Sequence, residues 1–323
     1  DNLIASTQGR SLWIIDDLVP LHKITKKIEN SNFHIFSPIN NYRIGNPGWG
    51  GASASAGKNH HNGVEVFFNI KNKIVNDSSI ISLEFLDKNK KLIKKYSNND
   101  KKNSLKMDGE KNSFVWNMRY DDAKGFDGLI MWAANLRGPK ASPGNYFVRL
   151  NVDENSMEKS FNILKDPRSN SSIEDLKKQF DFLISIRDKV TSVHEAIIQI
   201  RSTRKQLNDL KEKLDENHNE LKKNINEVIN NISKIEKTLY QTKNRSGQDP
   251  LNFPIKLNNK LAHLASVASS GNYKPTDQMY GVRDELITKI DIELDLWNDI
   301  KRNKLEKINT AIKESNIQLI SIN

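Results

Sequence analysis

Two aspartate pairs are the first residues in this sequence whose type and spacing could support catalysis. Acid–base hydrolysis of a glycosidic bond needs two carboxyl groups that face each other across a pocket, about 5 to 10 Å apart. Asp16-Asp17 and Asp121-Asp122 are adjacent in the chain, and adjacent side chains on a strand point to opposite faces. Asp121-Asp122 also lies close to Gly125, in a stretch typical of a turn. We therefore expect no catalytic dyad at either pair.

Histidines and loop motifs offer no stronger chemistry. His60 and His61 are adjacent, but a third ligand at a spacing useful for a metal site is absent. The chain contains no cysteine, which excludes structural disulfides and cysteine-ligated zinc. P-loop, GxGxxG, GxSxG and HExxH motifs are also missing. The sequence thus predicts no cofactor, no metal and no catalytic residue.

One long segment between predicted strands is the best candidate for ligand binding. Residues 125–143 contain Trp132 and Arg137, an aromatic ring and a guanidinium group that could contact a ligand or another domain. Excursions of this length between strands are uncommon without a role. Trp132 and Arg137 are therefore our predicted ligand-binding residues.

The charge pattern favours a solvated basic surface over a nucleic-acid site. The 50 Lys and Arg against 40 Asp and Glu give a formal net charge of +10, which could attract an anionic partner. However, Lys and Glu are interleaved, as in residues 211–213 and 234–237. The densest basic clusters, residues 88–95 and 101–102, adjoin predicted hairpin turns. We expect no nucleic-acid partner.

Length and hydropathy limit the organisation of the chain. Its 323 residues are enough for two domains, each with its own core. No apolar run approaches the roughly 18 residues that a membrane helix needs, so we expect no membrane span. The sequence begins at Asp1 without a signal peptide. Our expectation is a fragment or a processed product whose functional part could lie upstream.

The second half of the chain carries the apolar spacing of amphipathic helices packed side by side. Residues 171–174 read as a capping box, and Thr276 as the cap of the last helix, with Val282 on its buried face. We predict an elongated antiparallel bundle over 171–323, with an apolar tail at 317–322 that packs back. The helices are predicted over about 171–214, 220–242, 255–268 and 276–313.

Between residues 63 and 165 the apolar period changes to two, which is typical of half-buried strands. Short antiparallel strands over about a hundred residues predict an immunoglobulin-like β-sandwich. Trp116 alternates with Phe114 and Met118, so we assign its ring to the core rather than to a sugar-stacking surface. The strands are predicted at 64–70, 80–86, 92–93, 113–120, 146–152 and 160–164.

The N-terminal residues are harder to place. A Gly9-Arg10 turn leads into a Leu-Trp-Ile-Ile strand at residues 12–15, with no evident pairing partner in residues 1–21. This strand is either an edge strand of the next domain or the closing strand of a sheet outside this sequence. Residues 22–62 are predicted to be a connector, because residues 45–57 are rich in Gly, Ala and Ser.

Six short motifs follow one another along the chain: Thr7–Leu21, Phe36–Pro38 with Tyr42-Arg43, Gly57–Asn59 with Asn62-Gly63, Phe114–Tyr120, Pro143–Leu150 and Asp166–Arg168. Together, and in this order, they resemble a large family of bacterial proteins. That family carries sortilin-like or BNR Asp-box β-propeller repeats, and its members are often named glycosyl hydrolases. The resemblance covers nearly the whole chain, although the Asp-box loop itself is absent.

The resemblance implies an α+β, multidomain organisation. Residues 1–21 would be the remnant of the last propeller blade, 22–62 a connector, 63–165 the sandwich and 171–323 the long-helix bundle. It also implies a secreted or cell-envelope protein whose partners are its own N-terminal propeller and possibly a saccharide or another envelope protein.

We therefore predict a non-catalytic C-terminal structural or interaction region of an exported β-propeller protein. The alternative is part of a glycoside hydrolase or carbohydrate-binding protein whose active site lies mainly in the missing propeller. A coiled-coil assembly device is a third possibility.

Overall fold

The computed structural model describes residues 2–10, 12–15, 17–45, 61–76 and 78–314. Over these residues the protein contains three β-sheets and seven α-helices, which confirms the predicted α+β class. The chain forms two compact units, and both are discontinuous. Residues 1–121 and 139–180 form the first, here called the strand unit. Residues 122–138 and 181–323 form the second, here called the helical unit.

The strand unit holds all the strands of the described residues. In chain order they are β1 (Leu3–Ser6), β2 (Leu12–Ile15), β3 (Phe33–Ile35), β4 (Asn41–Arg43), β5 (Val64–Ile70), β6 (Ile81–Leu86), β7 (Leu92–Ser97), β8 (Lys111–Trp116), β9 (Gly144–Val152) and β10 (Asn155–Lys165). Two short helices, α1 (Val19–Lys23) and α2 (Lys26–Glu29), precede β3.

These strands form three separate sheets. A five-stranded sheet has the order β4-β10-β9-β6-β7, and a three-stranded sheet has the order β3-β5-β8. Strand β4 runs parallel to β10, and the other pairs are antiparallel. Strands β1 and β2 pair only with each other, as a two-stranded hairpin.

Alternating apolar side chains build the core of the strand unit. Along β5 every second residue is buried, as expected for a strand that covers a core with one face. Trp116 is fully buried, and its ring stacks on Phe85 with centroids 4.5 Å apart. The assignment of Trp116 to the core is confirmed.

Three strands lie where the sequence predicted none. Strand β1 supplies the pairing partner that residues 12–15 lacked. Strands β3 and β4 lie inside the predicted connector, and β3 pairs with β5 through Ile35 and Phe68. Residues 46–60, which hold most of the Gly/Ala/Ser-rich loop and His60, lie outside the described residues.

The long helices are α3 (Ile173–Lys213), α4 (Asn219–Leu239), α5 (Leu257–Ala268), α6 (Asp277–Asp299) and α7 (Leu305–Glu314). A π-helical segment, Ile300–Lys304, joins α6 to α7. From residue 181 onwards these helices belong to the helical unit, where their apolar stripes form one buried cluster. The predicted apolar tail at residues 317–322 lies outside the described residues.

The helix caps agree with the prediction at one end and correct it at another. Thr276 caps α6, since its Oγ1 accepts a hydrogen bond from Met279 N at 3.3 Å. The capping box predicted at residues 171–174 is wrong by one residue. Ser172 Oγ accepts from Asp175 N, and Asp175 Oδ2 accepts from Ser172 N, both at 3.0 Å. Asp175, whose side chain is shorter than that of the predicted Glu174, therefore completes the capping box.

Val282 is also placed wrongly by the sequence pattern, because its side chain is 46% exposed. Each step of four residues advances roughly 40° around a helix. Ile290 and Trp297 are buried at the centre of the stripe on α6. Val282, two such steps before Ile290, falls at the margin of that stripe.

Candidate functional site

The segment with both predicted ligand-binding residues, residues 122–138, belongs to the helical unit rather than to the strand unit that flanks it in sequence. It has no regular secondary structure. Four of its apolar side chains, Phe126, Leu129, Met131 and Leu136, pack against the helical core. The segment is therefore a built-in part of that core and not a free loop.

Side chains of α5 hold the backbone of this segment. Asn259 Oδ1 accepts a hydrogen bond from Trp132 N at 2.7 Å, and Asn259 Nδ2 donates to Trp132 O at 2.8 Å. His263 Nδ1 lies 2.7 Å from Ala133 O. Because these bonds involve only main-chain atoms of the segment, they fix its path and leave the Trp132 side chain unconstrained.

An aromatic cluster anchors the start of the segment. The Phe126 ring meets the Tyr240 ring edge to face at 5.1 Å, and the Arg201 guanidinium lies 4.6 Å from the Phe126 centroid. The Tyr240 hydroxyl donates to Gly128 O and accepts from Ile130 N, each at 3.2 Å. Tyr240 thus combines apolar packing with two main-chain hydrogen bonds, which is the usual behaviour of a buried tyrosine.

A buried carboxylate balances the charge of this cluster. Glu236 is 2% exposed, and its Oε1 accepts a hydrogen bond from Arg201 Nε at 2.7 Å. Its Oε2 pairs with Arg204 Nη2. A buried carboxylate is tolerated only when such partners compensate for its lost hydration. The group therefore stabilises the helical unit and presents no unpaired carboxylate for catalysis.

His194 is the most buried histidine of the described residues, with 0% exposure. Its Nδ1 lies 2.5 Å from Lys124 O, and Asn258 Nδ2 lies 3.1 Å from its Nε2. This pair of partners fits a neutral ring that donates through Nδ1 and accepts at Nε2. Burial lowers the pKa of His194 below 6.5, and the hydrogen bond to Lys124 opposes this only in part. The contact with Lys124 fixes the entry of the segment.

The two predicted residues stand at the surface of this segment. The Trp132 side chain is 40% exposed. Arg137 is exposed too, and its backbone N donates to Asn135 Oδ1 at 3.0 Å. Neither residue lines any of the cavities of about 300, 430 and 330 Å³ that open on the described part of the helical unit.

The hairpin β1–β2 is a different kind of candidate, an apolar surface on a minimal sheet. Its register places Leu3, Trp13 and Ile15 on one face, and Ile4, Leu12 and Ile14 on the other. All six side chains are at least half exposed. Strand β1 was not predicted from the sequence, and so this surface was not predicted either. The apolar residues Leu3-Ile4-Ala5 ahead of the Gly9 turn were the available signal.

Two buried or half-buried cations occupy the strand unit. Arg43 is 4% exposed, and its Nε donates to Ala141 O at 3.0 Å. Lys140 Nζ donates to Ile44 O at 2.7 Å. Burial, and next the charge of Arg119, lower the pKa of Arg43 to about 10. Burial, followed by the charges of Arg43 and Arg119, lowers the pKa of Lys140 to about 8. These contacts with main-chain oxygens give both cations a structural role.

The Asp166–Arg168 motif also has a structural explanation. Arg168 Nε and Nη2 donate to the two carboxylate oxygens of Asp166 at 3.0 and 2.8 Å. These hydrogen bonds lower the pKa of Asp166 to about 2. The fork-like pairing fixes the exit from β10 ahead of α3.

The parts of the chain that the structure describes contain no cluster of metal-ligand side chains and no helix that could span a membrane. Within residues 61–76 and 78–314, and in the described residues before them, no group of three or more His, Asp or Glu is placed to hold a metal ion. None of the described helices is both long and apolar enough to cross a membrane. Asp121 pairs with Lys94 at 3.6 Å, and Asp122 Oδ1 accepts from Gly138 N at 2.9 Å.

In comparisons with known proteins, no family model, no curated protein and no solved structure matches this chain.

Proposed function

We propose that this chain is a non-catalytic structural or interaction region that adjoins a β-propeller in an exported protein. The parent protein would be of the sortilin-like, BNR glycosyl-hydrolase-like type, secreted or in the cell envelope. The observation that carries this proposal is the hairpin β1–β2, whose two faces both expose large apolar side chains. The family resemblance of residues 7–21 adds the nature of the partner.

Among the residues that the structure describes, the hairpin β1–β2 has no further strand beside it. A two-stranded hairpin is at best marginally stable in water, and it needs further strands or a packed face. A propeller blade supplies both, because each blade is a four-stranded sheet that packs against its neighbours. An apolar surface on both faces is what a strand pair inside such a blade requires. We therefore assign residues 1–21 to the last blade and residues 22–62 to a connector, from which β3 and β4 join the sheets of the following domain.

We infer an immunoglobulin-like sandwich for residues 63–165 from the strand order. In that fold one sheet contains strands A, B and E, and the other contains C, F and G, with C′ beside C in variable-type domains. Strands β3, β5 and β8 match the first order, while β10, β9, β6 and β7 match G, F, C and C′.

A single tyrosine contact supports the same inference. Tyr146 lies near the start of β9, the strand that corresponds to F, and its hydroxyl donates to Ser142 O at 2.7 Å. Immunoglobulin-like domains place a tyrosine near the start of strand F that bonds to the backbone a few residues upstream.

We infer an elongated antiparallel bundle for residues 171–323, in which one leg consists of two helices. The 41 residues of α3 correspond to roughly 60 Å. The contacts between α3 and α6 run from Lys189–Asp291 to Gln199–Trp297, so the residue numbers increase in the same direction on both helices. These two helices are therefore parallel. A third leg that runs the opposite way must lie between them in the chain.

Helices α4 and α5 provide that leg. Contacts between α3 and α4 run in opposite directions, from Arg201–Glu236 to Lys211–Asn226. One leg is thus α3, a second is α6 with α7, and the third, antiparallel to both, is the pair of shorter helices α4 and α5. Such a rod-like scaffold suits a spacer or docking element, and no catalytic constellation interrupts its apolar stripes.

The test is to recover the reading frame upstream of Asp1 and to measure amide hydrogen exchange in both proteins. We expect β-strand repeats with Asp-box loops upstream. In the 323-residue chain, the amide hydrogens of Trp13 and Ile14 should exchange almost as fast as in an unfolded chain. In the longer protein, the same amides should be protected from exchange. An upstream frame without propeller repeats, or hydrolytic turnover of glycosides by this chain alone, would contradict the proposal.

The carbohydrate alternative rests on the Trp132 side chain. Its indole is exposed, and its backbone is fixed by Asn259, so the ring is available for stacking at a defined position on the helical unit. The test is binding to a broad glycan panel by the wild type, Trp132→Ala, and Arg137→Ala. Saccharide binding that is lost in Trp132→Ala would support the alternative, and absence of binding to the whole panel would count against it.

A further inference from the structure

A cavity of about 430 Å³ opens on the helical unit where the segment before α5 meets α6. Its apolar wall consists of Pro254, Ile255, Leu257 and Ile292. Ile292 is 56% exposed, and Leu296, one turn further along α6, is 50% exposed. Neighbouring aliphatic side chains with this much exposure form a surface that is stabilised when a partner covers it.

The rim of this cavity is basic. Lys256, Lys260 and Lys289 all line it. Two carboxylates are close: Glu293 in the lining, and Glu285, whose Oε1 lies 2.5 Å from Lys289 Nζ. Three ammonium groups therefore face two carboxylates, and the rim carries a net positive charge. The lysines would therefore attract an anionic group to a position beside the apolar wall.

The backbone on one side of this cavity is held by hydrogen bonds to buried side chains. Gln241 Nε2 donates to Pro254 O at 2.9 Å. Asn258 and Asn259 are buried and anchor the first turn of α5 through the contacts described above. Lys256 occupies the N-cap position of α5 in an extended conformation. Preorganised groups bind with a smaller loss of conformational entropy than mobile ones.

We propose that this cavity binds an acidic, apolar peptide segment. A large aliphatic side chain of the peptide would cover Ile292, while a neighbouring carboxylate would pair with Lys256 and Lys260. A free inorganic anion would leave the apolar wall uncovered, and a nucleic acid would use the lysines without Ile292. A basic peptide would be rejected by like charge. The combination of wall and rim thus selects an acidic peptide with aliphatic residues.

The experiment is fluorescence anisotropy with the full chain and a labelled synthetic peptide of alternating leucine and glutamate. We expect saturable binding that Ile292→Ser weakens by about tenfold or more, and that the double variant Lys256→Glu with Lys260→Glu weakens at least as much. The double variant Lys178→Glu with Lys205→Glu reverses two exposed lysines on α3 and therefore changes the net charge equally. It is the matched control and should leave the affinity nearly unchanged. Peptides of serine with glutamate, and of leucine with lysine, should bind weakly.

Three outcomes would overturn the proposal. The first is no saturable binding of the leucine–glutamate peptide. The second is an equal loss of affinity in the double control variant Lys178→Glu with Lys205→Glu, which would indicate long-range attraction by net charge. The third is binding of the serine–glutamate peptide, or of a short DNA oligonucleotide, that matches the leucine–glutamate peptide and is insensitive to Ile292→Ser. All the substituted side chains are exposed or half-buried, so each variant should keep the wild-type Tm.

Discussion

Asn259 holds the backbone of Trp132 from both sides, through hydrogen bonds of 2.7 Å to its N–H and 2.8 Å to its carbonyl. One side-chain amide thereby makes the two bonds that a residue makes with its hydrogen-bonded partner in an antiparallel sheet. The two residues are 127 positions apart in the chain. The Asn259 side chain is also almost completely buried, so water cannot easily replace it.

Replacement of Asn259 should therefore be costly. Asn259→Ala leaves a main-chain donor and a main-chain acceptor of the segment unpaired, and we expect a loss of about 2 kcal/mol in the free energy of unfolding. Urea denaturation measures it. Asn135→Ala is the matched control, because Asn135 also makes two hydrogen bonds, to Ser266 Oγ at 3.2 Å and from Arg137 N at 3.0 Å, but is exposed, so water can replace it. Equal effects of the two variants would contradict the anchoring role of Asn259.

His194 should make the protein sensitive to acid. Burial lowers its pKa below the ordinary 6.5, so the unfolded chain binds a proton at this residue more readily than the folded protein. Stability that is fully present above about pH 6.5 is then lost as the pH falls towards the folded-state pKa. Urea midpoints measured between about pH 7 and pH 5 should fall less steeply in His194→Gln than in the wild type.

The control for this measurement is His22→Gln, which removes an exposed histidine on α1. It should reproduce the wild-type dependence on pH. A His194→Gln variant with the wild-type slope would show that the proton is taken up elsewhere.

Glu236 is expected to be more important for stability than any exposed carboxylate. Glu236→Gln keeps the volume but leaves Arg201 and Arg204 without their shared carboxylate. We expect a loss of about 3 kcal/mol, at the low end for a broken buried pair because both arginines are partly exposed. Thermal and urea unfolding report it. Glu285→Gln, which breaks the exposed pair with Lys289, should be close to neutral, and a similar cost in both variants would refute the expectation.

Two glycines should respond to alanine in opposite directions. A Cβ at Gly63 would lie 2.5 Å from Trp116 O, a backbone atom that cannot move aside. Gly63→Ala should therefore destabilise the strand unit by about 2 kcal/mol. A Cβ at Gly281, inside α6, meets nothing within 4 Å. Gly281→Ala should stabilise the protein by about 0.5 to 1 kcal/mol, and Tm shifts of the same sign in both variants would be inconsistent with this.

The regular elements of the fold were predictable because their apolar residues repeat with a clear period. The stripe of α4, for example, places a buried residue at nearly every third or fourth position from Leu221 to Leu239. Strands β1, β3 and β4 have only three or four residues each. A period of two cannot be recognised over so short a stretch, so these strands were missed.

The placement of residues 122–138 could not be predicted from local sequence. Phe126, Leu129, Met131 and Leu136 are spaced by three, two and five residues, which fits neither a helix nor a strand. Nothing in that spacing indicates which of two cores will bury them. Asn259 presents the same difficulty, because a polar residue at the start of a helix is typical of the surface and only its distant partner explains its burial.

The predicted site residues illustrate the limit for function. Trp132 was selected because it lies in a long excursion, and the structure places it at the surface with a fixed backbone. Whether its indole binds a saccharide depends on a ligand-shaped surface, which residue type and spacing do not encode. The apolar hairpin was missed for a simpler reason: half of it was not recognised as a strand.

The discontinuity of the two units has a consequence for biosynthesis. The chain passes from one unit to the other at residues 121/122, 138/139 and 180/181. Ile130 leaves the ribosome 110 residues before Tyr240, and Trp132 leaves 127 residues before Asn259. At ordinary translation rates this delay is on the order of ten seconds. The strand unit therefore has to fold with residues 122–138 inserted in its sequence, although they belong to the other unit. Until the later helices are synthesised, the apolar side chains of residues 122–138 have no core to pack against. Chaperone capture during synthesis should concentrate on that stretch.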